Sequence, residues 1–214
     1  MGAMPITLYD YTMAPSPRRA RILLAEKSVP FESVQIDLAA GEHLQPAYRA
    51  INPTCTVPAI RLEDGTVITE NAGIAAWAEA AYPNPPLLGR TPVEKGLVAS
   101  WNARIEYEGL MAVAEALRNS APGLRDRALT GAENYPQIPE IAARGLTRID
   151  RFFEMLEAQL EGRETVVTDV FTVADITALV TVDFARVVRR KPLPEQVNIA
   201  RWRASLGVRG SVGR

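Results

Sequence analysis

Residues 57–71 read VPAIRLEDGTVITEN, and the fold turns on them. Pro58 to Leu62 and Val67 to Thr69 are short β-prone runs, and Asp64-Gly65 between them is a dipeptide that closes a tight turn. Together they spell an antiparallel hairpin entered from a proline. Upstream, Ile6 to Tyr9 is an apolar, strand-prone run, followed by the turn-like TMAPSP of Thr12 to Pro17. Ser16-Pro17 reads as a helix N-cap followed by proline at the first helical position, and Ala20, Leu23, Leu24 and Lys27 continue at helical spacing. A break at Val29-Pro30 precedes Phe31 to Asp37, where Val34 and Ile36 alternate as in a strand. Glu42 to Arg49 is polar and suits a short irregular helix closed at Asn52-Pro53. Beyond the hairpin, Asn71 to Ala81 carries Ile74, Trp77, Ala78 and Ala81 on one helical side. Residues 5–82 therefore spell β-α-β-(α)-β-β-α, an α/β domain.

The next stretch, Tyr82 to Pro92, holds four prolines and a glycine, so residues 83–93 read as a linker. After it the pattern is helical only. Leu97, Trp101, Ile105 and Ala112 trace one face, while Ile138, Ile141, Ile149, Phe152, Leu156 and Leu160 trace another across the Asn119 to Pro136 loop. Phe171 to Val188 is a third long helix, with Thr172 and Asp175 at capping-box spacing near its start. Residues 94–205 thus form a second, all-α domain, and Gly207, Gly210 and Gly213 make the last eight residues read as frayed.

Composition narrows the function. Among 214 residues, 24 Lys+Arg face 25 Asp+Glu, so there is no charge footprint for nucleic acid or an anionic membrane. With 47% hydrophobic and 23% charged residues the chain suits a soluble globular protein. One cysteine, Cys55, and one histidine, His43, exclude an intrachain disulfide framework and a zinc site of Cys and His, so no metal is expected and the compartment reads as reducing and cytoplasmic. Met1 to Tyr9 has no basic start followed by a long apolar stretch, and no run of about 18 apolar residues occurs, so neither a leader nor a membrane span is expected.

Four stretches carry a family resemblance. GEHLQPAYRAINP (residues 41–53) with Val57-Pro58-Ala59, Thr69-Glu70-Asn71, FTVADITALV (residues 171–180), and the ungapped run from Tyr9 to Ile22 resemble the theta- and zeta-type cytosolic glutathione transferases over about residues 5–205. The resemblance implies the glutathione transferase fold, a thioredoxin-like N-terminal domain followed by an all-α C-terminal domain. It also implies glutathione as cosubstrate with no metal or prosthetic group, a small electrophilic, hydrophobic second substrate, and a homodimer. The second substrate would lie between the domains, with walls from Thr12, Met13 and the helix around Arg104 to Met111. In the implied site the Val57–Pro58 bond is cis, so that Val57 offers its N–H and C=O to the tripeptide like a short strand. Glu70 pairs with the γ-glutamyl ammonium, the helix start at Asn71 receives its carboxylate, and His43 donates to the glycyl carboxylate. The alternative, read without the resemblance, is Asn71 as a helix N-cap and Glu70 as a solvated charge. For His43, surface exposure and general-base catalysis remain as alternatives.

The sulfur end departs from the pattern. A free thiol has a pKa of about 8.5, and lowering it by two units takes about 2.7 kcal/mol. One hydroxyl hydrogen bond to a charged acceptor contributes about 1.5–3 kcal/mol and a helix N-terminus about 0.3–1 kcal/mol. Where the zeta-type pattern has its activating serine, this chain has Ala14, and Ser16 stands where that pattern has cysteine. Ser16, the nearest remaining hydroxyl, is the candidate catalytic residue, against a role as helix cap only. Thr12, Tyr9, Tyr11, the Arg18-Arg19 pair and backbone N–H groups are alternates. Cys55 lacks a Cys-x-x-Cys partner and reads as an inert loop thiol, with a mixed disulfide as the alternative. The functions left open are conjugation of small electrophiles, glutathione-dependent isomerisation, dehalogenation or ether cleavage, and binding of glutathione or a hydrophobic ligand without catalysis.

Overall fold

The structure is a computed structural model in which residues 6–213 are described. The chain divides into two compact units, one running through Pro85 and including Thr130–Glu133, the other comprising Pro86–Leu129 and Asn134–Gly213.

In the first unit β1 (Ile6–Asp10), β2 (Phe31–Gln35), β3 (Ala59–Arg61) and β4 (Val67–Thr69) form one sheet in the order β2-β1-β3-β4. Helix α1 (Pro15–Glu26) carries the chain back between β1 and β2, which therefore run parallel, while β3 and β4 are the antiparallel hairpin. The hairpin turn needs Gly65, whose φ of 86° lies where an L side chain is strained. Side-chain alternation then sorts the two faces of the sheet. Leu8, Ile60 and Ile68 share a register row, and Ile68 packs so close to Gly73 that an added Cβ there would stand 3.2 Å from it. That row faces α3 (Asn71–Ala81), which packs on α1. Tyr9 and Ala59 turn to the opposite face and cluster with Ile36 and with Tyr48 of the short helix α2 (Pro46–Arg49). The far ends of α1 and α3 are held by Lys27. Its buried ammonium pairs with Glu79 at 2.5 Å and donates to the carbonyls of Tyr82 and Pro85 at 2.8 and 2.5 Å.

Helix α1 does not start as the sequence suggests. Ala14, extended at φ −88° and ψ 141°, is the N-cap, Pro15 takes the first helical position, and Ser16 the second. Proline confines the residue before it to extended geometry, so Pro15 defines the boundary without any capping side chain. Pro17 follows within the first turn, where its missing N–H has no acceptor to lose.

The second unit is all helical. Helix α4 (Pro92–Ile105), a π turn (Glu106–Leu110) and α5 (Met111–Arg118) make one long rod, packed by α6 (Pro139–Gln159) and α7 (Val173–Phe184), with α8 (Val197–Leu206) closing the unit. The expected face is met at Ile105 and Ala112, which are buried, but not at Leu97, which is 48% exposed while its neighbour Val98 points inward. Ile138 is exposed too, because it is the N-cap of α6 and lies outside the helical stripe. Helices approach closely at Gly145, where a Cβ would meet the Ala112 carbonyl oxygen at 2.7 Å. The stretch expected to fray is packed where it is described, for Ser211 and Val212 are buried and the Arg209 guanidinium lies 4.1 Å from the centre of the Phe171 ring.

The hub of this unit is Asp175. The expected capping box is present, with the Thr172 N–H and hydroxyl donating to one carboxylate oxygen at 3.0 and 3.1 Å. The other oxygen accepts from the Val166 N–H at 2.8 Å and the Trp202 indole at 3.2 Å. One carboxylate thereby ties the start of α7 to the preceding loop and to α8. Burial pushes its pKa above the usual carboxylate range, and the donated hydrogen bonds oppose that rise. A raised folded-state pKa means that this contribution to stability is complete below the ordinary Asp pKa and is lost as pH rises through the raised value. Asp175→Ala strands several buried donors at about 1–3 kcal/mol each, so urea denaturation should show a loss of roughly 3–5 kcal/mol. Asp175→Asn, which keeps one acceptor and cannot ionise, should lose less, and its deficit against the parent chain should shrink as pH rises from acid to neutral.

Candidate functional site

The strand register gathers the site. Tyr9 pairs with Ala59 and Ala59 with Thr69, so the chain leaving β1 after Asp10, the chain entering β3 through Val57-Pro58, and the chain leaving β4 into Glu70 all meet at one end of the sheet. Because β2 is parallel to β1, with Gln35 opposite Asp10, it ends there too. Ser16, Val57, Pro58, Glu70 and Asn71 are thereby brought together by topology. His43 follows β2 after the Asp37–Gly41 turns, half-buried on the 3-10 turn Glu42–Leu44.

The Val57–Pro58 peptide is cis, as the resemblance implied. Neither the N–H nor the C=O of Val57 bonds to another described residue. The loop before it is fixed from below. The Tyr48 hydroxyl and the Asn52 amide both donate to the Thr56 carbonyl, at 2.7 and 2.8 Å, and Asn52 accepts from the Thr54 N–H at 3.1 Å. Burial lifts the Tyr48 pKa to about 12, so it stays a neutral donor. A backbone edge with free polar groups, held rigid by a buried Asn and Tyr, is suited to pairing with an extended peptide.

Glu70, not Asn71, is the N-cap of α3, and its backbone is unusual at φ 62° and ψ 141°. A non-glycine residue in that region costs on the order of 1–3 kcal/mol, the kind of strain that clusters where ligands are held. Its carboxylate is exposed and has no ion-pair partner among the described residues. Asn71, the first helical residue, leaves the N–H groups of the first turn free: the earliest α3 amide to find an acceptor is that of Ile74, bonded to the Glu70 carbonyl at 3.0 Å. Its carboxamide reaches across instead, donating to the Ser16 carbonyl at 3.1 Å. The N-terminal ends of α1 and α3 are thus joined by one hydrogen bond.

At the tip of α1 the supply of donors is small. Pro15 and Pro17 have no N–H, the Ala14 N–H is bonded to the Tyr11 carbonyl, and the Arg18 N–H turns to the Ala14 carbonyl. What remains in the first turn is the N–H of Ser16 together with its hydroxyl, neither bonded to a described residue. Two of the alternate donors, Thr12 and Tyr9, are engaged or turned elsewhere, as is Cys55. Thr12 spends its hydroxyl proton on Gln35 Oε1 at 2.9 Å. Tyr9 is 3% exposed in the cluster on the far sheet face, with the Arg61 guanidinium 5.5 Å from the ring centre. Cys55 is buried beneath the Pro53 carbonyl.

Three residues that hold this turn escape the motif reading. Asp10, Arg21 and Gln35 form a connected polar cluster behind Thr12. The signal available for it is a charge on an apolar face, since Arg21 lies between Ala20 and Ile22 within the buried side of α1.

Among the described residues no group of three or more His, Cys, Asp or Glu is placed to hold a metal, and no helix is long and apolar enough to cross a membrane. Family profiles for the Glutathione S-transferase N-terminal and C-terminal domains match residues 14–81 and 125–206. Glutathione S-transferase 2 of Saccharomyces cerevisiae is 35% identical over 208 residues, 96% of this chain and 87% of that protein. The crystal structure of Gtt2 from Saccharomyces cerevisiae superposes with a TM-score of 0.88 at 33% identity, covering 97% of this chain and 98% of that one. Maleylacetoacetate isomerase of Pseudomonas aeruginosa is 38% identical over 98 residues, 43% of this chain and 46% of that protein. With a thioredoxin-like sheet, a cis prolyl edge, two facing helix ends and an all-helical second unit, the chain belongs to the glutathione S-transferase family.

Proposed function

We propose that this enzyme binds glutathione along the Val57–Pro58 edge and conjugates its sulfur to a small, hydrophobic electrophile. The observation that carries the reading is the tip of α1, where two prolines leave Ser16 as the source of both a backbone and a hydroxyl donor. The cysteinyl amide pairs with the Val57 backbone, the γ-glutamyl carboxylate meets the free N–H groups at the start of α3, its ammonium meets Glu70, and the glycyl carboxylate meets His43. Ser16 then donates to the sulfur. One charge-assisted hydrogen bond of about 1.5–3 kcal/mol with a helix dipole of about 0.3–1 kcal/mol covers the roughly 2.7 kcal/mol needed for a two-unit fall in thiol pKa. The thiolate attacks the electrophilic carbon, a C–S bond forms, and the leaving group departs with its electron pair, or, at an activated double bond, the displaced π pair takes up a proton from water. Exposed Met13, beside that tip, supplies an apolar surface for the acceptor. A cytoplasmic homodimer in detoxification, using no cofactor beyond glutathione, completes this reading.

The relationship to maleylacetoacetate isomerase supports a second reading, in which the thiolate adds to a double bond, the adduct rotates, and glutathione leaves again. Product analysis separates the two, because conjugation consumes glutathione as a stable thioether whereas isomerisation returns it. Glutathione binding without thiolate absorbance near neutral pH would instead mark a binder that does no chemistry.

Ser16→Ala should lower kcat by about a hundredfold and change the dissociation constant of glutathione by less than about threefold. Unchanged turnover would remove Ser16 from the mechanism. Glu70→Ala and His43→Ala should each weaken glutathione by roughly tenfold in calorimetry, and parent-like affinity in both would overturn the assignment of the two polar ends.

A further inference from the structure

The turn that delivers Ser16 is gripped on every polar atom of Thr12. Its N–H and hydroxyl both donate to Gln35 Oε1 at 2.9 Å, and its carbonyl accepts from Arg21 Nη2 at 3.2 Å. The grip is tied to a buried ion pair, in which Arg21 Nη1 meets Asp10 Oδ1 at 2.5 Å while Asp10 is 1% exposed. Gln35 Nε2 closes the circuit by donating to Asp10 Oδ2 at 3.1 Å and to Ser33 Oγ at 3.0 Å, and Ser33 Oγ donates to Asp10 Oδ2 at 3.2 Å. The orientation of Gln35 is therefore not free. Its amide hydrogens must face Asp10 and Ser33, so its oxygen must face Thr12.

From this circuit we infer that Gln35, set by Asp10 and Arg21, is a positioning residue for the sulfur end of the site. The inference rests on the proposed role of Ser16. No atom of Gln35 need touch glutathione. Gln35 fixes Thr12, Thr12 fixes the turn to Ala14, and that turn sets where the N–H and hydroxyl of Ser16 stand. The other contact to that tip, from the Asn71 carboxamide to the Ser16 carbonyl, comes from α3 and is independent of the circuit. A donor held within hydrogen-bond range of a sulfur stabilises the thiolate far more than one displaced by about 1 Å, a shift that commonly lowers rate by about a hundredfold. Pairing of the tripeptide backbone with Val57 and of its γ-glutamyl group with α3 lies on other loops and does not pass through Gln35.

The test uses the full chain with Gln35→Met, which keeps the side chain's length and removes both its acceptor and its donors. Thiolate absorbance of bound glutathione is titrated against pH, kcat and KM are measured, and the affinity for S-methylglutathione, which has no thiol, reports on tripeptide binding alone. The expected result is a bound-thiol pKa raised by about one unit and kcat lowered roughly tenfold or more, with S-methylglutathione affinity within about threefold of the parent chain. Val34→Ala, which trims packing on the same strand but lies outside the circuit, should leave the thiol pKa in place. Thr12→Val, which loses one of the two bonds to Gln35, should shift it in the same direction by less, and it serves if Gln35→Met fails to fold. An unshifted thiol pKa and kcat in Gln35→Met, or in Thr12→Val if that variant must serve, overturns the inference while leaving the proposed function intact. A thiol pKa moved equally by Val34→Ala overturns it as well, since general loosening would then be the cause. If the parent chain binds glutathione and never ionises it, the proposed function falls and takes this inference with it.

Discussion

A carboxylate and a guanidinium shut away together at the end of the first strand govern the rest of the N-terminal unit. Removing such a pair from water costs several kcal/mol per ion, a cost offset only when each remaining polar atom finds a partner. Here Asp10 is satisfied by Arg21, Ser33 and Gln35, and Arg21 spends its second nitrogen on the Thr12 carbonyl. The consequence is geometric. Strands β1 and β2, helix α1 and the turn between them cannot shift separately without stranding a charge, so the turn that leads to Ser16 inherits the rigidity of the sheet.

The helical unit solves an equivalent problem with Asp175, one buried carboxylate satisfied by four donors from three segments. Both units thus centre on a desolvated acid whose lone pairs are filled from separate stretches of chain. Apolar burial supplies bulk stability and tolerates some slippage. A hydrogen-bonded acid does not, so these two groups specify which arrangement of the apolar elements is the native one.

The sequence made much of this readable. The hairpin of residues 57–71 was legible because Asp64-Gly65 and the flanking β-prone runs leave few alternatives, and the capping box at Thr172 was legible because it is local. The candidate site residues were proposed only through family likeness, which suggests where a ligand would pair but not how each side chain is held. Three features were hidden. The start of α1 was misplaced because Ser16-Pro17 and Ala14-Pro15 offer competing boundaries, and extended geometry at Ala14 wins over a capping hydroxyl. The inward face of α4 differs from the expected one at its first position, because apolar residues lie on more than one side there and Leu97 and Val98 compete for the same role. The circuit through Gln35 joins residues far apart in the chain, and a spacing rule written along one segment has no means of finding it.

The way α1 begins carries one more consequence. A serine that starts a helix is committed twice over, since its replacement unravels the first turn as well as removing its hydroxyl. In this chain Ala14 and Pro15 perform the starting. Ser16 is relieved of structural duty, and its hydroxyl is free to be tuned, exchanged or lost over evolutionary time at little expense to the architecture around it. The proposed chemistry at that position is thereby uncoupled from foldability, which is the condition under which a single scaffold diversifies into many reactions.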